Sequence, residues 1–302
     1  VPKPLAIRAY AKLNLALAVA PPEPAGTPRA GWHRLCSWMH AIDLADDLLL
    51  EADASANGPT LEARWADDAP RHPGQPLAWP ADKDLTLRAA RALGELVGRP
   101  LPVRITLRKR VPEGGGLGGG SADAAAALRG INRLLALGLA HDQLAALAVA
   151  VGSDVPFFLD PDAPPAGPPR PAIVGGFGEA IDRLARRHAD VTLFCPPFGC
   201  PTPEVYAAFD RLEPGPMDEP GVRSAAADDD GPDPHALRND LAAAAQTVRP
   251  ELADIRRTLQ NALGTPVLVT GSGSTLFAIG HHHPPPSLEG LEGLAVVRTR
   301  LA

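Results

Sequence analysis

The order of local signals in this 302-residue chain predicts an α+β fold. Apolar–polar alternation marks strands at residues 5–19, 35–51, 103–111 and 189–195, and helical periodicity marks 85–97, 121–137, 141–151 and 249–263. The two kinds of element alternate irregularly, and two helices follow one another after residue 120, which favours α+β over a doubly wound parallel sheet. A 45% hydrophobic content at this length supports one large domain or two modest ones.

Each element has its own justification. Residues 5–19 alternate apolar with polar or small side chains, and 21–31 are proline- and glycine-rich turn material. Residues 35–51 continue as strand and end in Asp-Asp-Leu-Leu-Leu-Glu. The stretch 53–84 is rich in proline and aspartate and poorly periodic, and the Pro/Asp/Gly-rich stretch 213–235 is expected to be mobile. In the helix at 85–97, Leu85, Ala89, Leu93 and Leu96 are expected on one packed face. Residues 160–172 contain too many prolines for helix or central strand and read as a linker or surface excursion. Two apolar strands are expected within 266–279, around Gly-Ser-Gly-Ser, and His281–His283 with three prolines reads as a solvated loop rather than a metal site.

Bulk properties narrow the function. The net charge is −6 with no clustered basic excess, so a nucleic-acid partner is not expected. No apolar run of eighteen residues and no signal-peptide pattern is present, so no membrane partner is expected either. Cys36, Cys195 and Cys200 are scattered and odd in number, which suits a reducing cytoplasm. The chain opens on Val1 rather than Met, and its natural N-terminus is expected to be trimmed or altered.

The most informative stretch is 112–126, Pro-Glu-Gly-Gly-Gly-Leu-Gly-Gly-Gly-Ser-Ala-Asp-Ala-Ala-Ala. Six glycines in seven positions run into strong helix formers. Glycine lets a ligand approach the backbone, and a helix N-terminus offers free N–H donors and the positive end of the helix dipole. Together these read as a phosphate site. It is not a Walker A loop, because Ser121 follows Gly120 with no lysine between them. Gly114, Gly116 and Gly119 fit G-x-G-x-x-G, but the two helices that follow do not make the βαβ unit of a dinucleotide site. No His-Arg-Asp or Asp-Phe-Gly follows, which argues against a protein kinase.

Three pieces stand in order: Ala11-Lys12-Leu13-Asn14, the glycine loop, and Thr270-Gly271-Ser272-Gly273-Ser274-Thr275. In this order they resemble the GHMP small-molecule kinases. Lys-Leu-Asn-Leu at 12–15, Trp32-His33, Gly152-Ser153-Asp154-Val155-Pro156-Phe157-Phe158, Pro201-Thr202-Pro203 and Arg238-Asn239-Asp240-Leu241 sharpen the resemblance. They point to the branch that phosphorylates a cytidyl sugar alcohol in the non-mevalonate isoprenoid route. The resemblance spans nearly the whole chain. It implies a two-domain fold: an N-terminal α/β nucleotide domain of the ribosomal protein S5 domain 2-like type over 1–165, and a C-terminal ferredoxin-like domain over 166–302 that contributes to the substrate cleft. It also implies ATP and Mg²⁺, and transfer of phosphate to the 2-hydroxyl of the cytidyl substrate.

Phosphoryl transfer needs an oriented hydroxyl, an in-line γ-phosphate and charge neutralisation. Asp154 is the candidate general base and Lys12 its charge partner. Capping of the following turn is the other role open to Asp154, an exposed strand position the other open to Lys12, and the resemblance favours catalysis for both. Lys109, Pro112, Gly114, Gly115, Gly116, Leu117, Gly118, Gly119, Gly120, Ser121 and Ala122 are the expected ATP-binding residues. For Lys109 a solvated strand end is equally open. Ser121 is a candidate for phosphate or Mg²⁺ and also for capping the helix, whereas Asp123 reads as structural in the helix's first turn. Asn14 is expected to orient either member of the pair and, like Asp154, to bind substrate, a polar turn or strand-end position being the other role open to it. By position in the family pattern, Trp32 and Tyr206 stack on cytosine while His33 and Thr202 supply hydrogen bonds. Trp32 replaces the usual tyrosine, keeping a π-face without the hydroxyl. Asp84 stands where the family has asparagine, at a position tied to adenine recognition.

Two rival readings are distinguishable. Another GHMP kinase has no use for the Trp32, His33 and Tyr206 constellation. A nucleotide-binding protein without catalysis has no use for Lys12 and Asp154.

Overall fold

The computed structural model describes residues 2–70, 77, 80, 83–164, 166–227, 231–283 and 292–302. The poorly periodic stretch 53–84, the expectation of mobility at 213–235 and the reading of the prolines after His283 fall partly outside these residues. By contacts the chain divides into two compact units. The first comprises Val1–Ala11, Leu44–Val111 and Gly118–Arg170, and the second Lys12–Asp43, Pro112–Leu117 and Pro171–Ala302. Two long strands, β1 (Leu5–Pro22) and β2 (His33–Ala52), contribute residues to both.

In the first unit, the later part of β2 pairs antiparallel with β4 (Val103–Lys109), Asp47 opposite Arg108 and Ala52 opposite Val103. Strand β3 (Thr60–Trp65) joins β4 in parallel. β4 alternates buried and solvated positions, so one face of this ladder packs on helices. The helices of this unit are α1 (Leu85–Leu96), α2 (Gly119–Leu134) and α3 (His141–Val151), followed by a 3₁₀ turn at Val155–Phe158. Helix α2 is buried on nearly every side, and Ala124–Ala127 are inaccessible to solvent. Small side chains let it lie close to the sheet: a Cβ on Gly130 would come within 2.3 Å of Leu50 and 2.4 Å of Ile7.

In the second unit, the earlier part of β2 pairs antiparallel with β5 (Ala172–Gly176), which pairs with β6 (Ala180–Arg183). β1 meets β8 (Arg238–Asn239) in parallel. A separate four-stranded antiparallel sheet runs in the order β11 (Ala295–Arg300), β7 (Asp190–Cys195), β10 (Leu276–Ile279), β9 (Leu268–Val269). Helices α4 (Thr202–Arg211), α5 (Glu219–Ala227), α6 (Ala242–Val248) and α7 (Pro250–Leu263) complete the unit. Phe194, Val205, Phe209, Leu241, Leu252 and Leu259 share one core.

The α+β expectation holds, with four local differences. Leu96 is exposed, and α1 instead buries Leu87, Ala90 and Gly94 beside Ala89 and Leu93. Strand β3 lies inside the stretch read as irregular, where it forms a half-exposed ladder partner of β4. Helix α5 lies inside the other such stretch. Pro220 sits in its first turn, where a missing N–H is harmless. Asp218 accepts the Gly221 N–H at 3.0 Å, and Val222, Ala225 and Ala226 are buried. The excursion from Asp160 is organised by Arg170, whose guanidinium grips both Asp160 oxygens at 2.8 and 2.9 Å.

His40 is fully buried on β2. Its Nδ1 bonds the Ala41 carbonyl at 2.8 Å and its Nε2 accepts from the Arg187 N–H at 3.4 Å. Burial pushes its pKa down from 6.5 to about 4, with Arg186 and His188 adding to the effect against the Ala41 hydrogen bond. The folded state therefore binds fewer protons than the unfolded chain between those values, so this contribution is complete above pH 6.5 and is lost as pH falls towards 4. We expect thermal stability to decline already between pH 6.5 and 5, by up to about 3 kcal/mol from this group across the whole window. Melts of His40→Gln over the same range should show a shallower decline. Equal slopes for the two proteins would remove His40 as the cause.

Candidate active site

Lys12 stands at the middle of β1 and only 3% of it is exposed, which rules out the exposed strand lysine. Its Nζ donates to the Gly116 carbonyl at 2.7 Å and to Asn14 Oδ1 at 2.5 Å. Asn14 is fixed in turn: its Nδ2 donates to Ser37 Oγ at 2.8 Å and its backbone N–H to Thr270 Oγ1 at 2.9 Å. The Lys12 N–H also donates to the Leu117 carbonyl at 2.9 Å. A lysine and an asparagine two residues apart on a strand share a face, so the Lys-Leu-Asn-Leu spacing is what brings them together.

The glycine loop and the terminal Gly-Ser loop pack backbone to backbone. Thr275 N donates to Gly115 O at 3.2 Å, and Cys200 N to Gly114 O at 3.2 Å. A Cβ on Gly116 would sit 2.2 Å from the Thr270 carbonyl oxygen, and one on Gly115 would sit 2.6 Å from Thr275 Oγ1. Asn239 of the Arg-Asn-Asp-Leu block secures the Gly-Ser loop by donating to Val269 O and Gly271 O, both at 2.8 Å.

Beyond Leu117 the loop enters α2. Gly118 is its N-cap, left-handed at φ +67°, a conformation that favours glycine. Ser121 is therefore not the cap but lies in the first turn, half-buried, and its hydroxyl has no hydrogen-bond partner among the described residues. The N–H groups of Gly119, Gly120 and Ser121 belong to that first turn and have no acceptor within the helix. Ala122 N donates to Gly118 O at 2.9 Å, closing the first helical bond. Pro112, two residues before the glycine run, and Leu117, at its centre, are buried.

Lys109 is not a solvated strand end. It is 3% exposed and paired with Asp46 and with Asp123, the latter at 2.6 Å. Burial works against its charge, but Asp123 and Asp46 outweigh that and raise its pKa. Asp123 lies past the first turn, so this ion pair, rather than the helix dipole, is its structural role. Burial pushes the Asp123 pKa well up; Lys109 opposes this, while the charges of Asp46 and Asp84 add to it. Two carboxylates thus share one buried ammonium, and Asp123 Oδ1 is left without a hydrogen-bond partner. Asp46 goes unmarked by motif reading. One of its oxygens accepts from the N–H groups of Arg110 and Val111 while the other takes Lys109, so it pins the strand that delivers the loop. Nothing in the sequence separates it from Asp43 and Asp47 on the same strand.

Asp84 is the N-cap of α1 and accepts the Thr86 N–H at 2.7 Å. Asparagine caps equally well, so what this aspartate changes is the charge beside the Lys109 cluster. Asp154 occupies the N-cap position of the 3₁₀ turn, but its side chain makes no capping hydrogen bond, and Asp154 belongs to the first unit whereas Lys12 belongs to the second.

The four residues expected at a cytosine site all fall in the second unit. His33 Nδ1 bonds the Ala20 carbonyl at 2.9 Å, its Nε2 lies 3.4 Å from Asp210 Oδ1, and its ring is 4.9 Å from that of Tyr206. Thr202 Oγ1 lies 2.9 Å from Ser272 Oγ, which ties α4 to the Gly-Ser loop. Trp32 is 56% exposed, edge-on to Phe177 at 6.2 Å, with the Arg29 guanidinium 5.4 Å from its ring and 4.4 Å from that of Phe177. A tryptophan so exposed is not a core residue.

Replacing Asp46 by alanine removes the acceptor of two backbone N–H groups and one of the two carboxylates on Lys109. Breaking a buried charge network in this way typically costs about 3–5 kcal/mol. Chemical denaturation should show a loss of that order, larger than for an exposed aspartate such as Asp254. A loss below about 1 kcal/mol would refute the anchoring role.

The profile of the family described as GHMP kinases N terminal domain matches residues 84–160, which hold the glycine loop, α2 and Asp154. The 4-diphosphocytidyl-2-C-methyl-D-erythritol kinase of Nocardia farcinica is 36% identical over 282 residues, covering 91% of this chain and 84% of that protein. The enzyme of the same name from an Azoarcus species is 36% identical over 271 residues, covering 89% and 83%. A crystal structure of 4-(cytidine 5'-diphospho)-2C-methyl-D-erythritol kinase superposes over 98% of both chains with a TM-score of 0.72 and 31% identity. Leishmania major mevalonate kinase, seen with R-mevalonate, shares the fold at a TM-score of 0.61 and 15% identity. On these similarities the chain belongs to the GHMP kinases, in the family of the 4-diphosphocytidyl-2-C-methyl-D-erythritol kinases.

Proposed function

We propose that this protein phosphorylates the 2-hydroxyl of 4-diphosphocytidyl-2-C-methyl-D-erythritol with ATP, in non-mevalonate isoprenoid precursor biosynthesis. The observation that carries the reading is the glycine loop itself. Gly118 turns it into the N-terminus of α2, the first-turn N–H groups have no helical acceptor, and the buried Lys12 ammonium is docked on the Gly116 carbonyl. Residues Lys109, Pro112 and Gly114–Ala122 form the ATP segment of this proposal. Lys109 acts in it as the buried support of the loop. Residues 1–165 are assigned as the ATP-binding half and 166–302 as the half contributing to the acceptor. A cytoplasmic site of action fits three buried cysteines that form no disulfide among the described residues.

In the proposed step Asp154 accepts the proton of the acceptor hydroxyl. The oxygen attacks the γ-phosphorus in line, the bond to the β–γ bridging oxygen breaks, and ADP leaves. Lys12, oriented by Asn14, favours the ionised base and the developing alkoxide. First-turn N–H groups of α2 take up charge on the transferring phosphate. Mg²⁺ bound with ATP would supply charge neutralisation, and the unpartnered Ser121 hydroxyl is the oxygen of this loop suited to hold it. Such a site needs few protein ligands, since Mg²⁺ keeps phosphate oxygens and waters. For the acceptor, Trp32 and Tyr206 provide stacking surfaces and His33 and Thr202 hydrogen-bonding groups, with His33 held by the Ala20 carbonyl.

Two measurements test these roles. Asp154→Asn should lower kcat by about 10²- to 10⁴-fold while ATP affinity and melting temperature stay near native, because the side chain caps nothing. Near-native turnover would overturn the base assignment. Trp32→Ala should weaken the cytidyl substrate by roughly tenfold to a hundredfold, the range of one base–aromatic stack, with ATP affinity unchanged. Titration of each ligand alongside a melt checks this. A sharp fall in stability with both affinities reduced would make Trp32 a packing residue instead.

A further inference from the structure

Helix α2 carries the glycine loop at its N-terminal end, and near its other end the first unit contains a cavity of about 350 Å³. That volume lies within the range of small-molecule sites. Arg129 and Arg133 line it, ten and fourteen residues beyond Gly119, which is about 15 and 21 Å along the helix axis. Being four residues apart, they share one helix face. His141, the first residue of α3, adds a third basic side chain to the lining. Ile7, Leu144 and Leu159 supply apolar wall, and all three of the ATP, catalytic and cytosine residue sets lie outside the lining.

The lining sets Arg129, Arg133 and His141 against a single carboxylate, that of Asp160. Arg129 has no hydrogen bond or ion pair among the described residues, although burial works against its charge and only Asp160 acts to support it. Asp160 is itself committed: Arg170 takes both its oxygens, and the backbone N–H groups of Asp162 and Arg170 add to them. Arg133 lies in the last turn of α2, where it complements the helix dipole, but Arg129 lies a turn earlier and has no such role. A half-buried guanidinium kept without a partner is unfavourable unless a ligand supplies the anion. Two guanidiniums on one face match the several oxygens of a phosphate group.

We propose that this cavity binds a small organic phosphate, its phosphate on Arg129 and Arg133 and a short apolar body against Ile7, Leu144 and Leu159. The site is separate from the phosphate loop.

The test is titration calorimetry of the full chain with n-pentyl phosphate, in saturating Mg²⁺ and a non-hydrolysable ATP analogue so that the glycine loop is filled. Inorganic phosphate and hexanoate serve as controls. Saturable binding of n-pentyl phosphate is expected, with both controls weaker. Arg129→Gln and Arg133→Gln should each weaken it about tenfold or more, the scale of one lost charge-assisted contact, while kcat and the KM for ATP stay at the wild-type values. Arg133 is exposed, so its variant carries the test if Arg129→Gln fails to fold. Absence of binding, or equal binding in the arginine variants, overturns the site. Inorganic phosphate binding as tightly overturns the apolar part, and hexanoate binding as tightly overturns the choice of phosphate. Loss of turnover with the cytidyl substrate would bear on the kinase reading alone, because the binding signal does not depend on it.

Discussion

An ammonium group that is 3% exposed requires acceptors, and those of Lys12 include the Gly116 carbonyl and Asn14 Oδ1. Much of the second unit's local geometry is arranged around that requirement. Asn14 can present its oxygen to Lys12 only because its amide group is occupied by Ser37 Oγ, and Ser37 in turn donates to the Ala16 carbonyl at 2.8 Å. Gly116 can present its carbonyl only because a residue without Cβ fits against the Thr270 backbone. The Gly-Ser loop reaches that place through the side chain of Asn239. Sequence blocks 12–15, 114–117, 238–241 and 270–275 are therefore parts of one hydrogen-bonded assembly, and a change in one would leave buried polar groups in the others without partners.

A second buried cation does comparable work in the first unit. Lys109 joins Asp46, which holds the end of β4, to Asp123, which lies one turn into α2. The strand that delivers the glycine loop and the helix that receives it are thereby fixed to each other from beneath. A Cβ on Gly119 would approach Lys109 Nζ to 3.3 Å and Val111 Cγ1 to 2.9 Å, so the absence of a side chain there reflects packing as well as access for phosphate. The arrangement leaves the loop's first-turn donors as its functional surface and removes the adjacent lysine from it. It also concentrates negative charge beneath the loop, and Asp84 in place of the family's asparagine adds to that charge.

How legible these features are in sequence depends on the range of the interaction behind them. Helix α3 was readable residue for residue, and β1, β2, β4 and α7 to within a few, because their periodicity is local. Helix α5 and strand β3 were obscured by composition. Proline and glycine in a first turn look like loop until the buried Val222, Ala225 and Ala226 are seen, and a half-exposed ladder strand has only weak alternation. The packed face of α1 was displaced because a periodic apolar stripe does not say which edge of it meets the neighbouring helix, and Leu96 fell on the open side.

The sequence by itself determined the α+β class, the phosphate-binding character of the glycine loop and, through the order of its motifs, the kinase family. Those are properties of local backbone preference and of residue types at fixed spacing, which need no third dimension. Only the tertiary structure decided that Lys12 and Lys109, both lysines on strands, are buried cations with different partners, one on backbone and amide oxygens and the other between two carboxylates. It alone decided that Gly118 rather than Ser121 caps α2, that Asp46 anchors the loop and that Arg129 has no ion-pair partner among the described residues. The charge state and role of a buried group follow from what surrounds it, and those surroundings are assembled from segments as far apart in the chain as Asn14 and Thr270.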